Sequence, residues 1–252
     1  MRAAFFPRVL LTLLVAGAWH SPVAARADEA PAAPLVPSLA PLLSRTAVHA
    51  EQFEEMKKRG SYTLRGRMEE LDRSGHVDGT KEMVLRVIAT PTKKTTELVQ
   101  YLEDGTDKTE EARQKEAKRK AEPPKAEKKP KMSDFRLPFL AAEQGRYFFS
   151  IVGRDLQRNQ TRIAFQPKVP AEDAFHGSAW VDEASGEILT LGFSPSKYPT
   201  FIDQLDVTVR FDLMTPLGRA PSSFTFDARG SFLLIRKHYR GTATLSDARL
   251  GF

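Results

Sequence analysis

The sequence predicts a mainly β protein (α+β): one curved antiparallel sheet with a single amphipathic helix packed on its concave side. Three observations carry this. Apolar and polar residues alternate with period two in segment after segment, most cleanly over 203–213, where Leu205, Val207, Val209, Phe211 and Leu213 alternate with Asp206, Thr208, Arg210 and Asp212. The connections between these segments are short clusters of turn formers rather than helices, which favours antiparallel pairing over parallel crossover units. Only one stretch, 42–59, repeats its apolar residues at helical spacing along one face.

The chain opens with Arg2 and Arg8 around the apolar run 9–18 and then the small-residue site Ala25-Arg26-Ala27. Basic, apolar and small-residue parts in that order make a secretory signal peptide, and the run is too short for a spanning helix, which needs about 20 apolar residues. Cleavage after Ala27 leaves a proline- and alanine-rich tether over 28–41. The helix follows, with Leu42, Leu43, Ala47, Val48, Phe53 and Met56 at roughly helical spacing and Gly60 as its stop.

From Ser61 the period falls to two. Tyr62, Leu64 and Met68 alternate with polar residues, the turn formers of 73–79 reverse the chain, and Met83, Leu85 and Val87 repeat the pattern over 81–90. A third strand covers 95–103. Alternation resumes over 147–152 and 160–166, then over 178–183 and 187–193 about the turn Asp182-Glu-Ala-Ser-Gly186. The strand 203–213, the pair Phe224 and Phe226, and two last strands at 231–239 and 242–250 bring the number to roughly ten. A sheet of that width with one apolar face must curl or close to bury it.

Residues 106–132 interrupt the meander. Their first part is rich in helix formers with Glu four residues ahead of a basic residue, as in Glu111 to Lys115, yet it has no apolar face. The proline-spaced remainder reads as linker, and the whole as an excursion from one β–β connection. Here also sits most of the net charge of +6, with ten Lys/Arg against six Asp/Glu, while Arg2, Arg8 and Arg26 belong to the signal. Clustered cations of this kind are drawn to an anionic membrane surface. No aromatic residue lies within 106–132 to stack bases, so a nucleic-acid partner is not expected.

Cysteine is absent, which excludes a disulfide framework, a thiolate metal site and an N-terminally lipidated cysteine. Nothing in the chain assembles a catalytic signature: His49, His76, His176 and His238 are scattered singly, and no nucleophile elbow, phosphate-cradling loop or paired-histidine metal motif occurs. His49 reads as structural, and Asp182 and Glu183 as turn residues that hydrogen-bond locally. We therefore expect no enzyme, no cofactor and no metal. The terminal Phe252 after an alternating strand admits an integral outer-membrane barrel as a lesser alternative, although neither parity of 242–250 forms a lipid-facing surface.

Two stretches carry a family resemblance: Gly60-Ser-Tyr-Thr-Leu-Arg-Gly-Arg-Met68 after the helix, and the hairpin Gly177-Ser-Ala-Trp-Val-Asp-Glu-Ala-Ser-Gly-Glu-Ile-Leu189. With the order of helix, meander, helical interruption and further strands, 42–252 resembles the LolA/LolB-like superfamily of periplasmic lipoprotein carriers. The resemblance implies an incomplete β-barrel that holds lipid or lipoprotein acyl chains on its concave face. A sensor or adaptor that binds a partner protein is the alternative on the same fold. The large apolar residues of one parity, Leu64, Met68, Leu85, Val87, Phe149, Ile151, Phe165, Leu191, Phe193, Val207, Val209, Phe211, Phe224 and Phe226, are the candidate ligand wall. Export is directly testable: amino-terminal sequencing of the protein from its native host should begin at Asp28, and an intact Met1 on cytoplasmic material would overturn the signal-peptide reading.

Overall fold

The computed structural model describes residues 38–121, 136–198, 200–232 and 235–250. The signal peptide, the first part of the tether, the linker after 121 and the terminal Phe252 lie outside them. Helix α1 is Leu39–Lys58, three residues longer at its start than its apolar pattern. Pro41 sits in its first turn, where a missing N–H costs nothing because those donors have no intrahelical acceptor.

The strands are β1 (Gly60–Leu71), β2 (Val77–Ala89), β3 (Lys94–Glu103), β4 (Thr106–Asp107), β5 (Tyr147–Asp155), β6 (Gln160–Pro167), β7 (Phe175–Asp182), β8 (Ile188–Pro195), β9 (Ile202–Arg210), β10 (Leu213–Thr215), β11 (Gly218–Ala220), β12 (Ser223–Phe232) and β13 (Ile235–Leu250). Eleven form one sheet in the order β4-β3-β2-β1-β13-β12-β9-β8-β7-β6-β5, antiparallel at every junction. The chain thus lays β1 to β4 outward from one side of a centre and β5 to β9 inward from the far edge. The long β13 closes the gap by pairing with both β12 and β1. Strands β4 and β5 end the sheet and do not pair with each other, so the barrel is incomplete. Among the described residues the sheet therefore forms no closed barrel.

One apolar cluster runs through the sheet, taking Met83 and Leu85 from β2, Ile163 and Phe165 from β6 and Leu42 and Ala50 from α1. From β2 to β6 is seven strand spacings, about 34 Å on the flat. Helix α1 meets mainly β8 and the β10–β11 hairpin, so it cannot cover that width. Segment 137–140 covers part of the remainder.

Two stretches depart from the sequence pattern. The strand over 203–213 is broken: β9 ends at Arg210, and Leu213–Thr215 pairs instead with Gly218–Ala220 in a separate hairpin. Alternation survives because Phe211, between the two, turns its ring into the core against Phe53 of α1, with centroids 5.8 Å apart. The two last strands expected at 231–239 and 242–250 are one strand of 16 residues, and the reversal before it lies between Phe232 and Ile235. The excursion begins with β4 and a helix, α2 (Thr109–Ala121), whose Arg113 donates to the carbonyls of Leu98 and Val99 on β3.

The helix is seated on the β7–β8 turn. Gly186 there has φ 78°, and a Cβ on it would lie 2.5 Å from the Cβ of Arg45 and 2.9 Å from the nitrogen of Thr46. Arg45 in turn donates to the carbonyl of Glu183 at 2.8 Å. Gly186→Ala should therefore destabilise the protein by at least about 1–3 kcal/mol in chemical denaturation, through strain and clash together. The control Gly145→Ala, where a Cβ meets nothing within 4 Å and φ is −59°, should be nearly neutral.

Candidate functional site: the apolar wall

The inner face of the sheet is organised in rows that run across the strands. One row passes Phe149, Phe165, Gly177, Phe193, Val207, Phe226, Gly241 and Met68, each directly opposite the next, from β5 to β1. The next passes Ile151, Ile163, Ala179, Leu191, Val209, Phe224, Ala243 and Gly66 and continues to Met83 on β2. Rings stand beside residues with little or no side chain. A Cβ on Gly241 would enter the ring of Phe226, and one on Gly177 would strike the carbonyl oxygen of Gly192. The glycines let aromatic side chains and backbone approach closely at the concave surface.

The wall anticipated from the sequence lies on this face, filled. Leu64, Met68, Leu85, Val87, Phe165, Leu191, Phe193, Val207, Val209, Phe211, Phe224 and Phe226 are all buried, while Phe149 and Ile151 near the β5 edge are half-buried. Phe211 is the odd member. It leaves the strand before β10 and contacts His49 as well as Phe53, so it joins helix to sheet rather than lining the rows.

Sequence reasoning missed what fills part of the concavity. The segment Leu137-Pro-Phe-Leu140 belongs to no helix or strand, yet Leu137, Phe139 and Leu140 are 1%, 0% and 8% exposed. The Phe139 ring packs against Phe149 and Phe165 at 5.5 and 5.6 Å, the latter edge-on. Gln144, ending the short helix α3 (Ala141–Gln144), donates to the carbonyls of Phe139 and Leu43. Its one sequence signal was an apolar cluster directly after a charged stretch.

Polar groups on the inner side serve the joints. Buried His49 accepts a hydrogen bond from the Ile188 N–H at Nδ1 (3.0 Å) and donates from Nε2 to the carbonyl of Arg219 (3.0 Å), which fixes a neutral tautomer. Burial holds its pKa below the ordinary histidine value. Glu183 does not act locally as expected. It takes a paired contact from Arg154 at 2.8 Å and a hydrogen bond from Thr161, and these, Arg154 foremost, lower its pKa. Asp182 does cap its own turn, accepting from the N–H groups of Ala184 and Ser185. Desolvation pushes Tyr101 and Tyr239 up to about 12, so both phenols remain neutral.

The outer face is of opposite character. A depression of about 250 Å³ is lined there by Arg67, Glu69, Asp206, Thr208, Asp227 and Arg240, among others. Asp206 and Asp227 face each other directly across β9 and β12, an unfavourable pairing. Each is answered locally, Asp206 by Ser194 at 2.7 Å and Asp227 by His238 at 2.9 Å. Among the described residues, no group of three or more His, Asp or Glu side chains could hold a metal ion, and no helix is long and apolar enough to cross a membrane.

His49 makes stability depend on pH. Its depressed native pKa means that its contribution is present above the unfolded value near 6.5 and is lost as pH falls from there towards the native value. His49→Leu leaves the Ile188 N–H and the Arg219 carbonyl unpaired and should cost about 1–3 kcal/mol at neutral pH. The gap between wild type and variant in denaturant midpoint should narrow as pH is lowered from 7.5 to 5. A gap independent of pH would show that His49 does not titrate with unfolding.

No family model matches the chain, and no curated protein does. Among solved structures it is similar to a LolA superfamily protein, NE2245 from Nitrosomonas europaea, at 10% identity, with 80% of this chain and 93% of that one covered and a TM-score of 0.38. It is similar to a putative outer membrane lipoprotein-sorting protein domain from Vibrio parahaemolyticus at 11% identity, over 83% and 93% of the two chains, with a TM-score of 0.40. A third likeness is to the MucA/MucB complex of Pseudomonas aeruginosa, at 10% identity over 82% and 95%, with a TM-score of 0.25.

Proposed function

We propose that this chain is an exported, non-catalytic carrier or binding protein of the cell envelope that holds a hydrophobic ligand, an acyl chain of a lipid or lipoprotein, against the concave wall. The single observation that supports it best is Phe139: a wholly buried ring, delivered by an irregular segment, lying on Phe149 and Phe165 beside the open end of the sheet. Burying a phenylalanine gains about 1.5–3 kcal/mol and each buried methylene about 0.8 kcal/mol, so an acyl chain placing four or more methylenes on the same wall outweighs the ring it displaces. Segment 137–140 would act as an occupant of the empty carrier.

On this reading Phe149, Ile151 and Phe165 would receive the chain first, with Phe193, Val207 and Phe226, which follow Phe165 in register, deeper along the wall. Contact of 106–132 with anionic headgroups belongs to the same reading. In α2 its field is reduced by internal pairs, Lys115 with Glu111 at 2.6 Å and Arg113 with Glu110. The second reading, a sensor or adaptor for a partner protein, is favoured by how completely the wall is already filled.

Phe139→Ala tests the two. It should raise the affinity for a fluorescent fatty acid several-fold while lowering stability by up to about 3–5 kcal/mol, the range for emptying a buried aromatic site. Native mass spectrometry of protein purified from the envelope should show bound lipid. If wild type and variant alike fail to bind the probe and no lipid co-purifies, the carrier reading falls and the adaptor reading replaces it.

A further inference from the structure

The two ends of the sheet are treated differently. At the β3 end, α2 lies along the strand: Arg113 takes up the Leu98 and Val99 carbonyls, and the Thr109 hydroxyl accepts from the Tyr101 N–H at 2.9 Å. β4 pairs with the last residues of β3. At the β5 end nothing comparable occurs among the described residues. The Lys168 N–H donates to the Arg146 carbonyl, and register continues from there through Tyr147 opposite Pro167. Because hydrogen-bonded and non-bonded pairs alternate along an antiparallel ladder, Phe148 and Ser150 bond to β6, and Tyr147, Phe149 and Ile151 turn their N–H and carbonyl groups outward. Proline opposite Tyr147 agrees, since that position needs no donor towards β5.

This edge also lacks the usual protection. Tyr147 to Val152 contains no charged residue and no proline, and Phe148 and Val152 are 64% and 53% exposed, with the Lys168 ammonium resting over the Phe148 ring. Unprotected apolar edges are templates for strand addition. The edge is self-complementary. When β5 is set against a second copy about a two-fold axis at Phe149, Tyr147 meets the copy's Ile151, Phe149 meets Phe149, and all three outward residues of each strand exchange hydrogen bonds. Phe148 then faces Ser150, Arg146 faces Val152, and no like charges are opposed. The irregularity between Ile151 and Gly153 ends the pairing on both sides.

We propose that β5 is a self-association edge, through which two copies of this chain join their sheets antiparallel about Phe149. Sedimentation equilibrium of the full mature chain across the micromolar range should show a concentration-dependent dimer. Ile151→Pro removes an outward N–H that makes no bond to β6, and Ser150→Lys places a charge on the exposed face against the copy's Phe148; both should shift the chain to monomer with its far-ultraviolet circular dichroism unchanged. Register is read by cross-linking, clean here because the chain has no cysteine. Opposed non-bonded residues stand about 4.5 Å apart at Cα, within the disulfide span of about 4.4–6.8 Å. A mixture of Phe148→Cys and Ser150→Cys protein should therefore form a disulfide-linked heterodimer far faster than either alone. A monomer at every concentration, or a dimer untouched by both β5 substitutions, overturns the proposal.

Discussion

The seating of α1 on the β7–β8 turn is the constraint on which the rest of the structure depends. A sheet with one apolar face has no fixed curvature until something decides how far it bends, and here the helix is bolted to the sheet at three points within one turn of chain. Gly186 admits the helix backbone, Arg45 reaches the Glu183 carbonyl, and His49 spans from Ile188 to Arg219. The last of these also ties in the β10–β11 hairpin, which Arg219 secures again through Glu187 at 3.1 Å. Each contact joins residues more than a hundred positions apart in sequence or closes a hairpin on the helix. What they fix is the distance between helix and wall, and so the depth of the concavity.

Size alternation along the rows performs the corresponding task within the sheet. Phe193 and Phe165 flank Gly177, and Phe226 and Met68 flank Gly241, so large side chains tip over their small neighbours and the concave side stays dense while the sheet bends. Glycine in a central strand ordinarily weakens it. Here the space at Gly241 is taken by the Phe226 ring and that at Gly177 by the Gly192–Phe193 backbone, and one step along β7 the Phe175 and Phe193 rings meet edge-on at 5.2 Å.

Much of this was legible in the sequence, and the parts that were not share a cause. Period-two alternation located most of the strands along the chain and the inner-facing residues, though not the order of strands in the sheet, because side-chain direction in a strand is a local property. Turn chemistry located the β7–β8 hairpin for the same reason, and Asp182 does what its type suggests. The implied open barrel with a front helix is what the chain forms. Alternation cannot distinguish a strand from a chain that leaves the ladder while keeping its side chains on the same sides, which is why 203–213 read as one strand although it breaks after Arg210. Nor can it see a reversal whose flanks are themselves alternating, as between β12 and β13. Glu183 was read as a turn residue because its partners, Arg154 and Thr161, come from other strands. The Leu137–Leu140 segment escaped notice for a plainer reason: it has no period at all, and its burial follows only from where the sheet places it.

That irregular segment differs from everything else on the concave side in how it can be lost. A side chain on β6 or β8 leaves the core only if ladder hydrogen bonds on both flanks break, which couples it to global unfolding. Phe139 is held by packing and by turn bonds such as that from the Leu140 N–H to the Leu137 carbonyl at 3.1 Å, with Gln144 bridging to the helix. Local opening is drawn from regions with few backbone bonds to the main sheet. On the carrier reading, segment 137–140 would exchange its place on the wall while the rows beneath stay formed. The rows beneath are apolar, with Phe149, Phe165, Phe193, Val207 and Phe226 along one and Ile151, Ile163, Leu191, Val209 and Phe224 along the next. On the carrier reading proposed above, selection at this surface would rest on hydrophobic length and shape.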